Sequence, residues 1–139
     1  MHYIFESILV GIYSILFYYL FSLFIINKYF LFFFTGFFKH LMGYFLYIHN
    51  YYCKFGYACK QLGRDNKIFH TNNYPINNLV FESIIEGLLY LIIGLILSKI
   101  FNSDSFKSNI IYMFFTGMIL HITAEWFNIH YFFCKNRCI

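Results

Sequence analysis

Four histidines, two glutamates and four cysteines carry the chemistry this chain can do, and they come in matched sets. His40, His49 and Cys53 return as His121, His130 and Cys134 at a constant offset of 81. Glu6 returns as Glu82 at an offset of 76. Imidazole and carboxylate are the donors that transition metals and haem iron accept. His40 and His121 could therefore ligate a haem or a metal as a pair. Glu6, His49, Glu82 and His130 could form a second ring of two imidazoles and two carboxylates. Nine residues separate His40 from His49, about 180° around a helix of 3.6 residues per turn. On a regular helix only one of the two levels then faces the interior. Each set also has a plainer reading, interhelical hydrogen bonding for His40 and His121 and helix-end polar pairing for the ring. Lys39 and Glu125 add ionisable groups at similar depth. They could pair with each other, or Glu125 could accept from His121 four residues earlier.

Cys53 and Cys59, and Cys134 and Cys138, are spaced CxxxxxC and CxxxC. Neither is the CxxC of zinc ribbons or thioredoxin-like sites. Three readings remain open: two local disulfides, one in each half; a four-thiolate zinc site joining the halves; or free thiols. Quinone-linked disulfide-forming enzymes also combine four spans with two cysteine pairs, but they keep a CxxC that is absent here.

The elements that position these residues follow from composition and repetition. Of 139 residues, 60% are hydrophobic and only 12% charged, against roughly 25% charged in soluble domains. The chain reads as an all-α membrane protein in contact with a lipid bilayer. Its net charge of +4 is spread thinly, so no nucleic-acid partner is expected. Between 33–54 and 114–135, 9 of 22 positions are identical. Fixed-offset similarity is the mark of a duplicated unit. Apolar runs of about 20 residues cross a hydrocarbon core of roughly 30 Å, and four are expected, near 4–26, 29–48, 79–98 and 110–129. The first half, 1–60, and the second, 79–139, each form a helical hairpin, with a polar loop over 61–78 between them. An even number of spans per unit keeps both hairpins in one orientation, related by a pseudo-twofold axis along the membrane normal. The start lacks a basic segment and a cleavage pattern, so the first run is expected to stay as a span.

Small residues mark the packing faces. Ser7, Gly11, Ser14, Tyr18 and Ser22 in the first span match Ser83, Gly87, Tyr90, Gly94 and Ser98 in the third. Such stripes let membrane helices approach closely; a ligand groove is the other reading. Basic residues fall six to three, with Lys54, Lys60, Arg64, Lys67, Lys135 and Arg137 against Lys28, Lys99 and Lys107. The positive-inside rule places the termini and cysteines in the cytosol. That conflicts with disulfides, which are rare there.

The runs His49-Asn50-Tyr51-Tyr52-Cys53-Lys54-Phe55-Gly56-Tyr57-Ala58-Cys59 and His130-Tyr131-Phe132-Phe133-Cys134, together with Gly117-x-x-x-His121-x-x-x-Glu125, resemble uncharacterised small membrane proteins of giant DNA viruses infecting protists. The resemblance implies a multi-span protein of a virion internal membrane or an infected-cell membrane, with no enzymatic activity to carry over. It also implies access to virus-encoded thiol-oxidising machinery. The leading function is a non-enzymatic structural or assembly component that packs with itself or with other membrane proteins. The alternatives are a membrane redox or metal protein holding haem or zinc, and a small transporter or channel along the small-residue faces.

Overall fold

The computed structural model describes residues 2–63 and 74–138. Most of the expected polar loop, with Arg64 and Lys67, lies outside them. Among the described residues there are seven α-helices and no strand: α1 Tyr3–Ser22, α2 Lys28–Phe45, α3 Ile48–Phe55, α4 Tyr57–Gln61, α5 Ile76–Phe101, α6 Phe106–Trp126 and α7 Ile129–Arg137. At 1.5 Å per residue, α1 and α5 are about 30 and 39 Å long. These two are long and apolar enough to cross a membrane. The number rises to four if the bent pairs α2–α3 and α6–α7 each count as one span.

Polar side chains start the helices. Asn27 caps α2 by accepting from the Tyr29 N–H at 2.9 Å. Ser105 caps α6 by accepting from the Ser108 N–H at 3.1 Å. Such caps satisfy N–H groups that the helix itself leaves unpaired. α1 ends at Ser22, four residues before the expected Ile26. α5 begins at Ile76, three before the expected Leu79, directly after Pro75. Proline suits a helix start because its missing N–H is not needed there.

The polarity is that of a protein in lipid. Ser7, Ser14, Thr35, Ser83 and Thr116 are fully buried, while Leu16, Phe81, Ile92 and Phe115 are exposed. Lipid offers no hydrophobic drive to helix association, so small and hydroxyl side chains gather inside. Ser14, Thr35, Ser83 and Thr116 each donate to the carbonyl four residues earlier, at 2.7–2.8 Å. No hydroxyl among these is stranded in the apolar interior.

α1 packs chiefly against α6, and α2 chiefly against α5. The contacts α1–α2 and α5–α6 are narrower. Sequence neighbours do touch, as short connections require, but the broad interfaces join the first half to the second. The small-residue faces make this possible. A Cβ on Gly11 would lie 2.9 Å from the Phe114 carbonyl oxygen, and one on Gly87 would lie 2.9 Å from that of Phe33. Around these crossings Tyr18, Leu31, Phe32, Tyr90, Tyr112 and Met113 form the apolar core.

Two breaks reshape the cysteine-bearing end. Tyr47 and Asn128 adopt left-handed backbone, with φ of 59° and 57°. Non-glycine residues rarely do so, asparagine more readily than most. At these points α3 turns 72° from α2, and α7 turns 75° from α6. The expected spans 29–48 and 110–129 thus correspond to α2 and α6, each ending three residues early, and a short helix lies across the end of each.

Candidate functional site

The bends decide what the histidines can do. A straight helix would hold His40 and His49 on opposite faces. The turn at Tyr47 instead folds α3 back, and the two rings sit 5.1 Å apart. The turn at Asn128 brings His121 and His130 to 4.3 Å. The two histidine levels therefore merge in each half, which corrects the regular-helix expectation.

Each histidine pair faces a glutamate from the other half of the chain. His121 Nε2 lies 3.2 Å from Glu6 Oε2, and His40 Nε2 lies 3.2 Å from Glu82 Oε2. The ring expected from Glu6, His49, Glu82 and His130 is thus divided into two clusters. One holds Glu6, His121 and His130. The other holds Glu82, His40 and His49. His40 and His121, candidates to ligate a haem or a metal as a pair, each contact carboxylates.

The clusters differ in charge. Around Glu82, Arg137 Nη1 donates to Oε2 at 2.9 Å and the Tyr74 hydroxyl donates to Oε1. Glu86 accepts from Lys39 and from His40 Nδ1, the latter at 2.5 Å. Two carboxylates thus meet two permanent cations, and the Arg137 guanidinium also lies 3.6 Å from the Tyr74 ring centre. Stacking on an aromatic face suits the planar guanidinium. Among the described residues no lysine or arginine pairs with Glu6. Its Oε1 accepts the Tyr57 N–H at 2.7 Å, and Glu125 Oε2 lies 2.8 Å from His130 Nδ1. Lys39 pairs with Glu86 and not with Glu125. Glu125 serves His130 and not His121.

The cysteines sit over both clusters. Cys53 bonds Cys138, and Cys59 bonds Cys134, with Cα atoms 5.5 and 5.1 Å apart. Both bonds cross between the halves, so the local pairing Cys53–Cys59 and Cys134–Cys138 does not occur. The sulfurs also cluster: those of Cys59, Cys134 and Cys138 lie within 4.8 Å of one another. Four reduced thiolates there have the donor set of a structural zinc site. Tyr52, beside Cys53, lies 5.2 Å from the His130 ring, and Phe133, beside Cys134, lies 5.7 Å from the His49 ring. The disulfide-bearing short helices therefore roof the imidazole–carboxylate clusters.

Sequence reasoning passed over Glu86, Arg137 and Tyr52 as site residues. Glu86 had a signal, since it lies four residues after Glu82 on the same helical face. Arg137 sits in what reads as a polar tail, and only the bend at Asn128 directs it inward. No protein-family model, curated protein or solved structure matches this chain.

Proposed function

We propose that the chain is an integral membrane protein of four spans whose role is structural, as a component that stabilises or assembles a membrane. Its two tandem hairpins are related by a pseudo-twofold axis along the membrane normal. Equivalent positions at offsets 76 and 81 support that relation: Gly11 meets Phe114 as Gly87 meets Phe33, and Tyr47 bends as Asn128 does. One observation carries the functional reading. Both disulfides, both polar clusters and the two broad helix interfaces all join one half to the other. The polar groups of the interior are spent on holding the protein together. Its exposed side chains include many of Phe, Ile and Leu, suited to lipid or to neighbouring membrane proteins. A virion internal membrane or a host membrane fits the resemblance of the cysteine-bearing runs. It also fits oxidised cysteines on a face rich in lysine.

The competing reading is a small transporter, favoured by the half-buried ionic chain Lys39–Glu86–His40–Glu82–Arg137. Such groups at membrane depth commonly mark ion paths. Proteoliposomes decide between them. A structural protein gives proton and alkali-cation flux no greater than empty vesicles. Flux that disappears in Glu86→Gln would overturn the structural reading.

A further inference from the structure

Among the described residues, one group of metal-ligating side chains already brings three donor atoms together. The sulfurs of Cys59, Cys134 and Cys138 all lie within 4.8 Å of one another. Cys59 Sγ and Cys138 Sγ, which are not bonded to each other, are 3.8 Å apart. Two sulfurs 2.3 Å from a tetrahedral zinc ion stand roughly 3.8 Å apart. Cys53 belongs to the same cluster, with Ala58, Tyr52, Leu62 and Phe133 around it. All four cysteines are fully buried, as suits the closed shell of a structural zinc site. Each also has a basic residue next to it in the chain: Lys54 beside Cys53, Lys60 beside Cys59, Lys135 beside Cys134 and Arg137 beside Cys138. Neighbouring cations favour the thiolate, the form that binds metal.

We propose that Cys59, Cys134 and Cys138, with Cys53 as fourth ligand, hold one zinc ion once a cellular thiol has reduced both disulfides. The two halves are then joined by sulfur–sulfur bonds in oxidising surroundings and by zinc in reducing ones. The inference concerns this cluster alone and goes beyond the structural role proposed above; it holds equally for a transporter. The chemistry balances in two steps. Each disulfide takes two electrons and two protons from two thiols of the reductant, which leave as their own disulfide. The four cysteine thiols then release four protons as four Zn–S bonds form. Opening the bonds does not scatter the sulfurs. Non-bonded heavy atoms settle roughly 3.5–4.0 Å apart, the spacing that a tetrahedral ion requires, and the Cα atoms of the two pairs stand only 5.5 and 5.1 Å apart. Four thiolates around a divalent ion carry a net negative charge, which the flanking lysines and Arg137 offset. Disulfides are rare in the cytosol, where the positive-inside rule puts this end of the chain. A zinc-bound form removes that conflict.

Cobalt(II), a coloured substitute for zinc, tests this on the full chain in detergent. The oxidised chain should give no thiolate-to-cobalt charge-transfer band. After anaerobic reduction by a phosphine, one cobalt per chain should bind, giving that band together with visible d–d bands, and zinc should displace it. Cys134→Ser and Cys138→Ser should each abolish the one-to-one complex. Cys53→Ser, which leaves the three close sulfurs, should keep the band with weaker binding, and His130→Gln should leave it unchanged. Helical circular dichroism checks that each variant is folded. Where one is not, alkylation of the reduced wild-type chain decides: zinc should protect all four thiols, and a chelator should expose them. Absence of binding by the reduced wild-type chain overturns the proposal. So does bound cobalt without a charge-transfer band, alkylation unaffected by zinc, or a complex that survives Cys138→Ser but not His130→Gln.

Discussion

The two disulfides are nested, and nesting makes their contributions to stability depend on each other. Cys53–Cys138 spans 85 residues and Cys59–Cys134 spans 75. Taken alone, each loop stabilises by about 4.5 kcal/mol through lost entropy of the unfolded chain. Once one bond exists, the other closes only the remainder, 85 less 75, or 10 residues. It then adds about 2.6 kcal/mol. Removing either pair, as C53A/C138A or C59A/C134A, should therefore cost about 2.6 kcal/mol, and removing both about 7. The excess over additivity, about 2 kcal/mol, is the coupling energy of a double-mutant cycle. Local pairing gives a different result. Loops of 6 and 4 residues, from 53 to 59 and 134 to 138, would contribute about 2 kcal/mol each, independently. Equilibrium unfolding of the three variants in detergent measures the cycle. Residual helix in the unfolded state scales all the values down together and leaves the sign of the coupling. Additive losses, or a Cys53–Cys59 peptide in a non-reducing digest, would refute the reasoning.

Other perturbations probe the helix crossings and the ion pairs. Gly87→Ala places a Cβ 2.9 Å from the Phe33 carbonyl oxygen, a backbone atom that cannot rotate away. It should lower stability by about 1–3 kcal/mol, read by thermal unfolding. Lys39→Met leaves the half-buried Glu86 with His40 as its remaining partner and should cost about 1–3 kcal/mol; adding Glu86→Gln should restore part of the loss, which a melting curve would show. At the opposite end the Lys28 ammonium donates to Asp104 at 2.6 Å and holds its carboxyl below the usual carboxylate range. A depressed pKa contributes stability above the unfolded value of about 3.9, and that contribution is lost as pH falls through the lower folded value. Asp104 is 54% exposed, so Asp104→Asn should cost only about 0.2–1 kcal/mol at neutral pH and nothing in strong acid, as denaturation at the two pH values would reveal.

The long helices were legible because lipid leaves a plain record in sequence. Apolar runs of spanning length mark α1 and α5, and the serine–glycine stripes mark faces that are buried. Ser83, Gly87, Tyr90, Gly94 and Ser98 all lie inside. The short helices were not legible, since nothing local predicts that Tyr47 adopts positive φ. Asn128 is a residue type that tolerates it, yet Tyr47 does the same in an otherwise helical context. That one conformation reverses the placement of His49. The cysteine pairing escaped for a related reason. Spacing along the chain favours local partners, while the actual partners are brought together by packing between residues 75 and 85 apart. Glu6 and Glu82 were recognised as a pair by their offset. That each serves the opposite half follows only from α1 lying on α6 and α2 on α5.

The placement of the fastenings ties the molecule covalently at one end and leaves the other to side-chain packing around Tyr18, Phe32 and Tyr112. Two covalent bonds, with Glu6 and Glu82 beneath them, clamp the ends of the helices where α3, α4 and α7 lie. At the far end, among the described residues, the surface ion pair Lys28–Asp104 links the short connections at Leu23–Asn27 and Asn102–Ser105. Reducing both bonds, with zinc withheld, would leave the two halves joined at that end by the short helices and the histidine–glutamate contacts alone.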